Sequence, residues 1–112
     1  VYAIADTFPK HEIYGLSAQL RRAAVSVPSN IAEGRGRRRT REFLKHIDIA
    51  FGSLAEVETQ LFIAHELSYI TAETLQKILD LSSEIGRMLN GLLQGLEKKL
   101  TESPLPSLNA EC

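Results

Sequence analysis

The chain has 112 residues, 44% of them hydrophobic, which is enough for one domain with a buried core. Aromatic residues make up only 6% and Trp is absent, so packed helices are favoured and a β-sandwich or β-barrel is not. The formal net charge of −1 hides a basic half, with nine Lys/Arg and four Asp/Glu in residues 1–45, and an acidic half, with four and ten in 46–112, which indicates either a polyanion-binding edge or association of basic with acidic surfaces.

The segment "VYAIADTF" reads as the end of a helix, and "FPKHEIYG" as the turn after it. We therefore expect the first helix of a bundle to be largely missing from this chain. The next helix is predicted from about Gly15 to Arg35. Its apolar face is formed by Leu16, Leu20, Ala23, Val27 and Ile31.

Pro28 interrupts this second helix, where a proline removes one hydrogen bond and costs about 3 kcal/mol. Either the helix kinks, or a new helix begins with Pro28 in its first turn. The apolar spacing continues through Ile31, which favours a proline-kinked, continuous helix. Gly34 and Gly36 are predicted to stop it.

A third helix is predicted over residues 41–68, with Thr40 as its N-cap and Glu42 in its first turn. Its apolar seam is Phe43, Ile47, Ala50, Leu54, Val57 and Leu61. A second apolar stripe beside the seam is Leu44, Phe51, Ala55 and Phe62. A face this wide is typical of a helix with two neighbours in a bundle.

The fourth helix is predicted from the N-cap Thr71 to about Leu100, with Ile70 and Leu75 as a hydrophobic staple. The short connector "SYI" predicts that helices three and four are antiparallel. We therefore expect an all-α, antiparallel up-down four-helix bundle over residues 1–100. The Pro-containing tail, residues 101–112, is expected to be disordered.

No motif for catalysis, metal or cofactor binding is recognisable. His11, His46 and His65 are scattered and are interpreted as surface or boundary residues. We expect a protein that is not an enzyme and has no cofactor. The single cysteine, Cys112, and the lack of a signal peptide or an apolar run of ~20 residues predict a cytoplasmic location without membrane attachment.

An arginine run is the strongest candidate for ligand binding. Its cations, expected at one end of the bundle, are Arg35, Arg37, Arg38, Arg39, Arg41 and Lys45. Arg21 and Arg22 lie further back on the same helix. Guanidinium groups bind phosphate, and without interleaved aromatics the binding is expected to be led by the nucleic-acid backbone. The alternative, a solvated loop paired with acidic neighbours, stays open for a monomer, and oligomerisation would favour binding.

Polar residues also recur at helical spacing around the proline. The set comprises Arg22, Ser26, Ser29, Asn30 and Glu33, with Ser53, Glu56 and Gln60 on the third helix. One interpretation is a polar site, for example between subunits. We favour the other, in which these groups satisfy the backbone freed by Pro28 and pair across helices. Gly52 and Ser53 would let another backbone approach closely.

The stretches "RRAAVSVPSNIAEG" and "GSLAEVETQL" closely resemble the bacterial 23S ribosomal RNA intervening-sequence family, over nearly the whole chain. The resemblance implies four-helix bundles that form homopentamers without enzymatic activity. It also implies similarity to the accessory variability protein of diversity-generating retroelements, which binds nucleic acid and a reverse transcriptase. The matching signature positions are Arg22, Ser26, Pro28, Asn30, Glu33, Gly34, Gly52, Ser53 and Glu56.

Together these observations predict a homo-oligomeric helical bundle that binds RNA or DNA through its Arg-rich interhelix segment. The alternative is a structural ring that recruits a protein partner and uses the arginines in subunit contacts.

Overall fold

The computed structural model describes residues 1–102, which contain helices and no strands. A short helix α1, Tyr2–Ala5, is followed by a 3-10 turn at Lys10–Glu12. Three long helices come next, namely α2 (Leu16–Arg35), α3 (Thr40–Glu66) and α4 (Ala72–Thr101). The tail predicted to be disordered comprises residues 101–112. Thr101 is the last residue of α4, and residues 103–112 lie outside the described residues. Within the described part of the chain, no helix is long and apolar enough to cross a membrane.

Helix α3 is central, because both α2 and α4 pack against it. Its predicted seam is confirmed, and Ile47, Ala50 and Leu61 are fully buried. The second stripe is covered only in its first half. Leu44 and Phe51 pack against the core, whereas Phe62 remains 51% exposed. A second neighbour therefore covers only part of this face among the described residues.

The buried side chains form two clusters along the helices. The first core joins α1 to the start of α2, the end of α3 and the start of α4, and is Ala5, Phe8, Leu20, Ala23, Val57, Leu61, Ala64, Ile70, Leu75 and Ile78. The second core is Val27, Ile47, Ala50, Leu54, Leu89 and Leu96. Full burial of a large aliphatic side chain contributes about 1.5–3 kcal/mol, so these two clusters hold the helices together.

Helix α2 is continuous through Pro28, as predicted. It ends at Arg35 with Gly36 as its C-cap, but Gly36 has φ −75° and is not left-handed. Gly34 lies inside the helix and is buried against α3. A Cβ atom there would be 2.7 Å from Phe43 Cδ1 and 2.9 Å from His46 Cβ. Gly34 therefore permits a close contact between α2 and α3, and the role of a helix stop predicted for it is wrong.

The two predicted N-caps have different outcomes. Thr71 is the N-cap of α4, and its hydroxyl accepts a hydrogen bond from the Thr74 N–H at 3.1 Å. Thr40, by contrast, is the first helical residue of α3, so the predicted cap is wrong. Arg39 holds the N-cap position, with extended backbone (φ −100°, ψ 133°) and no side-chain cap. Arg39 therefore supplies no side-chain acceptor to the first N–H groups of α3.

Candidate functional site

The arginine segment, residues 35–45, connects the end of α2 to the start of α3. The α2–α3 loop comprises only residues 36–39, so the fold brings the cations of the segment to one end of the second core. All six are exposed, namely Arg35, Arg37, Arg38, Arg39, Arg41 and Lys45. Residues 33–45 contain only two carboxylates, Glu33 and Glu42, so this stretch of the chain is strongly basic.

The ion pair between Arg37 of the segment and Glu33 of α2 is weak. Arg37 Nη2 donates to Glu33 Oε2 at 2.9 Å, with side chains 49% and 55% exposed. Exposed pairs of this kind contribute about 0.2–1 kcal/mol, so a phosphate can replace Glu33 as the partner of Arg37 at low cost. Arg35, in the last turn of α2, also interacts favourably with the negative end of that helix dipole.

The start of α3 adds a second attraction for anions. The N-cap residue Arg39 provides no side-chain hydrogen bond to the first turn of α3, where a helix leaves N–H groups without a partner inside the helix. The positive end of the helix dipole lies at the same place. Phosphate oxygens would therefore meet backbone donors as well as guanidinium groups here.

Arg21 and Arg22 lie elsewhere. Fourteen residues separate Arg21 from Arg35, which corresponds to about 21 Å along a helix. The Arg21 guanidinium pairs with Asp6 and lies 6.0 Å from the centre of the Tyr2 ring. Arg22 lines a separate groove between α2 and α3. The structure does not bring these two residues to the arginine segment.

A polar seam crosses from α2 to α3 beside Pro28. Ser26 Oγ and Ser53 Oγ are 2.6 Å apart, and Asn30 Nδ2 donates to Ser26 Oγ at 3.0 Å. His46 Nδ1 lies 3.0 Å from Asn30 Oδ1. The predicted pairing across helices is confirmed. Asn30 Nδ2 also donates to Ser26 O at 2.9 Å. No side chain of the polar set donates to Ala24 O, the carbonyl that loses its donor to Pro28, so the backbone repair predicted for this set is wrong.

Four members of the predicted polar set are exposed, namely Arg22, Ser29 and Glu33 on α2 and Glu56 on α3. Gly52 is exposed on α3, and a Cβ atom built there meets nothing within 4 Å among the described residues. The close backbone approach predicted at Gly52 is therefore absent from this part of the chain, and Gly34 provides such an approach instead.

A polar groove lies between the outer faces of α2 and α3, with a volume of about 430 Å³. The residues that line it are Gln19, Arg22, Ala23, Ser26, Glu56 and Gln60. Gln60 is only 9% exposed, and its Oε1 has no hydrogen-bond partner among residues 1–102. Nothing in the sequence distinguished Gln19 from other surface glutamines, because its importance depends on the neighbouring helix.

Six of the nine signature positions lie along the α2–α3 contact, namely Arg22, Ser26, Asn30, Gly34, Ser53 and Glu56, whereas Pro28, Glu33 and Gly52 are exposed. Residues 1–91 match the family model of the 23S rRNA-intervening sequence protein. The chain belongs to this family. A comparison with curated proteins finds no match.

In this family member, a polar cluster at the opposite end from the arginine segment has no counterpart in the sequence predictions. The Tyr69 hydroxyl donates to Glu12 Oε2 at 2.7 Å and lies 3.3 Å from His11 Nε2. Glu12 Oε1 accepts from the Leu16 N–H at 3.0 Å, and so caps α2. The Phe8 and Tyr69 ring centres are 5.3 Å apart. We call these residues, Phe8, His11, Glu12 and Tyr69, the Tyr69 cluster.

The hydrogen bonds of this cluster shift two pKa values. The Tyr69 hydroxyl, and then the Leu16 N–H, lower the pKa of Glu12 below its ordinary value. The bond to Glu12, followed by burial, raises the pKa of Tyr69. The cluster therefore keeps a carboxylate and a protonated phenol together near neutral pH. Among the described residues, no three His, Cys, Asp or Glu side chains are grouped as a metal site.

Proposed function

We propose that this protein is a non-enzymatic, homo-oligomeric helical bundle that binds RNA or DNA through the arginine segment. The observation that carries the proposal is the concentration of six exposed cations around the uncapped start of α3. Residues 33–45 contain only two carboxylates, and the Arg37–Glu33 pair is exposed and weak.

The expected contact is with the phosphate backbone. Phe43, the aromatic residue of the segment, packs against the second core and is not offered to a base. Binding should therefore be weakly sequence-specific. It should also weaken steeply with salt, because log K falls with log[salt] by a slope of about −0.9 for each phosphate neutralised on duplex DNA.

Assembly is part of the proposal. Helix α3 leaves three large apolar side chains about half exposed, Ile49 by 44%, Phe62 by 51% and Ile63 by 43%, and contact with another subunit would bury them. The family resemblance implies a homopentamer of antiparallel up-down bundles, and a ring would multiply the arginine segments available to one polyanion. We place this assembly in the cytoplasm.

The test is a charge reversal with a matched control. The variant Arg37→Glu/Arg38→Glu/Arg39→Glu should bind structured RNA and duplex DNA at least about 100-fold more weakly, because several phosphate contacts are lost and repulsion is added. The control, Lys10→Glu/Lys77→Glu/Arg87→Glu, changes the same net charge at exposed positions elsewhere. Fluorescence anisotropy over a salt series, on samples of measured mass, gives both affinities. Unchanged affinity of the first variant at low salt would refute the proposal.

The exposed apolar residues of α3, Ile49, Phe62 and Ile63, favour a second candidate function. In that case the oligomer is a scaffold that recruits a protein partner, and the arginines contact the acidic surface of a neighbouring subunit. The same charge reversal would then dissociate the oligomer in size-exclusion chromatography with light scattering. Nucleic-acid binding would be weak in the wild-type protein as well.

A further inference from the structure

The polar groove has walls of opposite charge. Arg22 projects from α2 and Glu56 from α3, and both line the same groove. Both residues are exposed, and no ion pair among residues 1–102 joins them or uses either of them. A cation and an anion thus lie along one cleft without neutralising each other.

Gln60 supplies an unused acceptor in the same place. Its side chain is more than nine-tenths buried, and Oε1 has no donor within the described part of the chain. Such an atom is destabilising until a donor is provided. Gln60 lines the groove, and the terminal torsion of glutamine is broad, so rotation of its amide can present Oε1 to a ligand there. Glu56 lies one helical turn before Gln60, so the two acceptors share one face of α3.

We propose that the polar groove binds a small zwitterion. The ammonium group of the ligand donates to the Glu56 carboxylate and to Gln60 Oε1, and its carboxylate accepts from the Arg22 guanidinium. A simple anion would be repelled by Glu56, and a simple cation by Arg22, so the pair selects a molecule that carries both charges. The volume of about 430 Å³ falls within the roughly 300–1,000 Å³ of small-molecule sites. This proposal is independent of nucleic-acid binding by the arginine segment.

The probes are glycine, β-alanine and 4-aminobutyrate, which place the same two charges at increasing separation. Butylammonium and butyrate serve as the two halves of the longest probe. In ¹⁵N–¹H spectra of the full chain, at least one amino acid should shift the Gln60 side-chain amide at about tenfold lower concentration than either half. Equal responses to all five probes, or no response at Gln60, would overturn the proposal.

Charge-neutral variants identify the contacts. Arg22→Gln and Glu56→Gln should each weaken binding of the best amino acid by about tenfold, to the level of the corresponding half probe. The matched controls, Arg87→Gln and Glu84→Gln, change exposed α4 residues and should leave binding unchanged. Gln60→Leu should keep the fold and weaken the ammonium contact. Binding that is the same in the Arg22 and Glu56 variants as in the wild type would contradict the assignment.

Discussion

At one end of the helical core, the Tyr69 hydroxyl donates to Glu12 and the Tyr69 ring contacts the Phe8 ring. Helix α1 packs against the first core at the same end. At the other end, the loop 36–39 joins α2 to α3, and Gly34 packs beneath it on Phe43. The side chains of the loop are exposed cations. The fold thus places internal hydrogen bonds and ring contacts at one end and exposed cations at the other.

The difference shows how similar elements serve different purposes. Both ends contain a helix start, but α4 is capped internally by Thr71 whereas α3 has no side-chain cap. A satisfied cap stabilises the chain by about 1 kcal/mol. A helix start without a side-chain cap lacks this contribution, and its N–H groups and dipole attract an anion.

The largest expected effect is a loss of stability at the end that contains the first core. Leu61 is fully buried in the first core, so Leu61→Ala should lower the free energy of unfolding by about 2–5 kcal/mol. Urea denaturation measures this loss. Because the arginine segment packs on the second core, the folded fraction should bind polyanions as before. A loss below about 1 kcal/mol would mean that Leu61 is not packed in the first core as described.

Gly34→Ala tests the close contact beneath the arginine segment. The added methyl group would lie within 3 Å of Phe43 and His46, so we expect a loss of about 1–3 kcal/mol. Gly91→Ala is the matched control, because Gly91 lies inside α4 with nothing within 4 Å. It should gain about 0.5–1 kcal/mol from better helix propensity. Thermal or urea unfolding distinguishes them, and a gain in both variants would show that α2 and α3 do not approach closely at Gly34.

Gln60→Leu addresses the region between the two ends. Replacing the unpaired Gln60 Oε1 with an apolar side chain should raise the free energy of unfolding by about 1 kcal/mol. Gln76→Leu is a suitable control, since Gln76 is exposed and bonded to Asp80. Its stability should change little or fall. A clear loss of stability in Gln60→Leu would indicate that the amide has a partner in solution.

The smallest expected effect concerns pH at the Tyr69 cluster. The folded pKa of Glu12 is lowered, chiefly by the Tyr69 hydroxyl, so this carboxylate stabilises the fold above its unfolded pKa of about 4.3. That contribution is lost as the pH falls through the folded value. Glu12→Gln should therefore be less stable than wild type at pH 7, and the difference should shrink as the pH falls below 4. A difference independent of pH would exclude the ionised pair.

The long helices could be predicted because burial follows the helical repeat over many residues. Leu20, Ile47 and Leu61 belong to predicted apolar faces, and all three are fully buried. One local capping rule succeeded at Thr71, where Thr74 lies in position to donate. It failed at Thr40, because the extended backbone of Arg39 begins the helix one residue earlier.

Contacts between residues far apart in the chain could not be predicted from the sequence. Tyr69 and Glu12 are separated by 57 positions, and neither belongs to a recognisable motif. Gly34 was predicted to stop the helix because glycine is common just after helix ends. Its packing role could not be predicted, because it depends on Phe43 from the following helix. The charge of the arginine segment could be read directly, but the separation of Arg21 from it depends on Asp6 and on the length of α2.

The four-residue loop between α2 and α3 has a consequence for folding under different ionic conditions. It confines Arg37, Arg38 and Arg39 to adjacent positions, where like charges repel one another at short range. Added salt screens that repulsion, with a Debye length of about 8 Å at 0.15 M and about 3 Å at 1 M. The free protein should therefore unfold at a higher temperature as sodium chloride is added, under the conditions that release a bound polyanion.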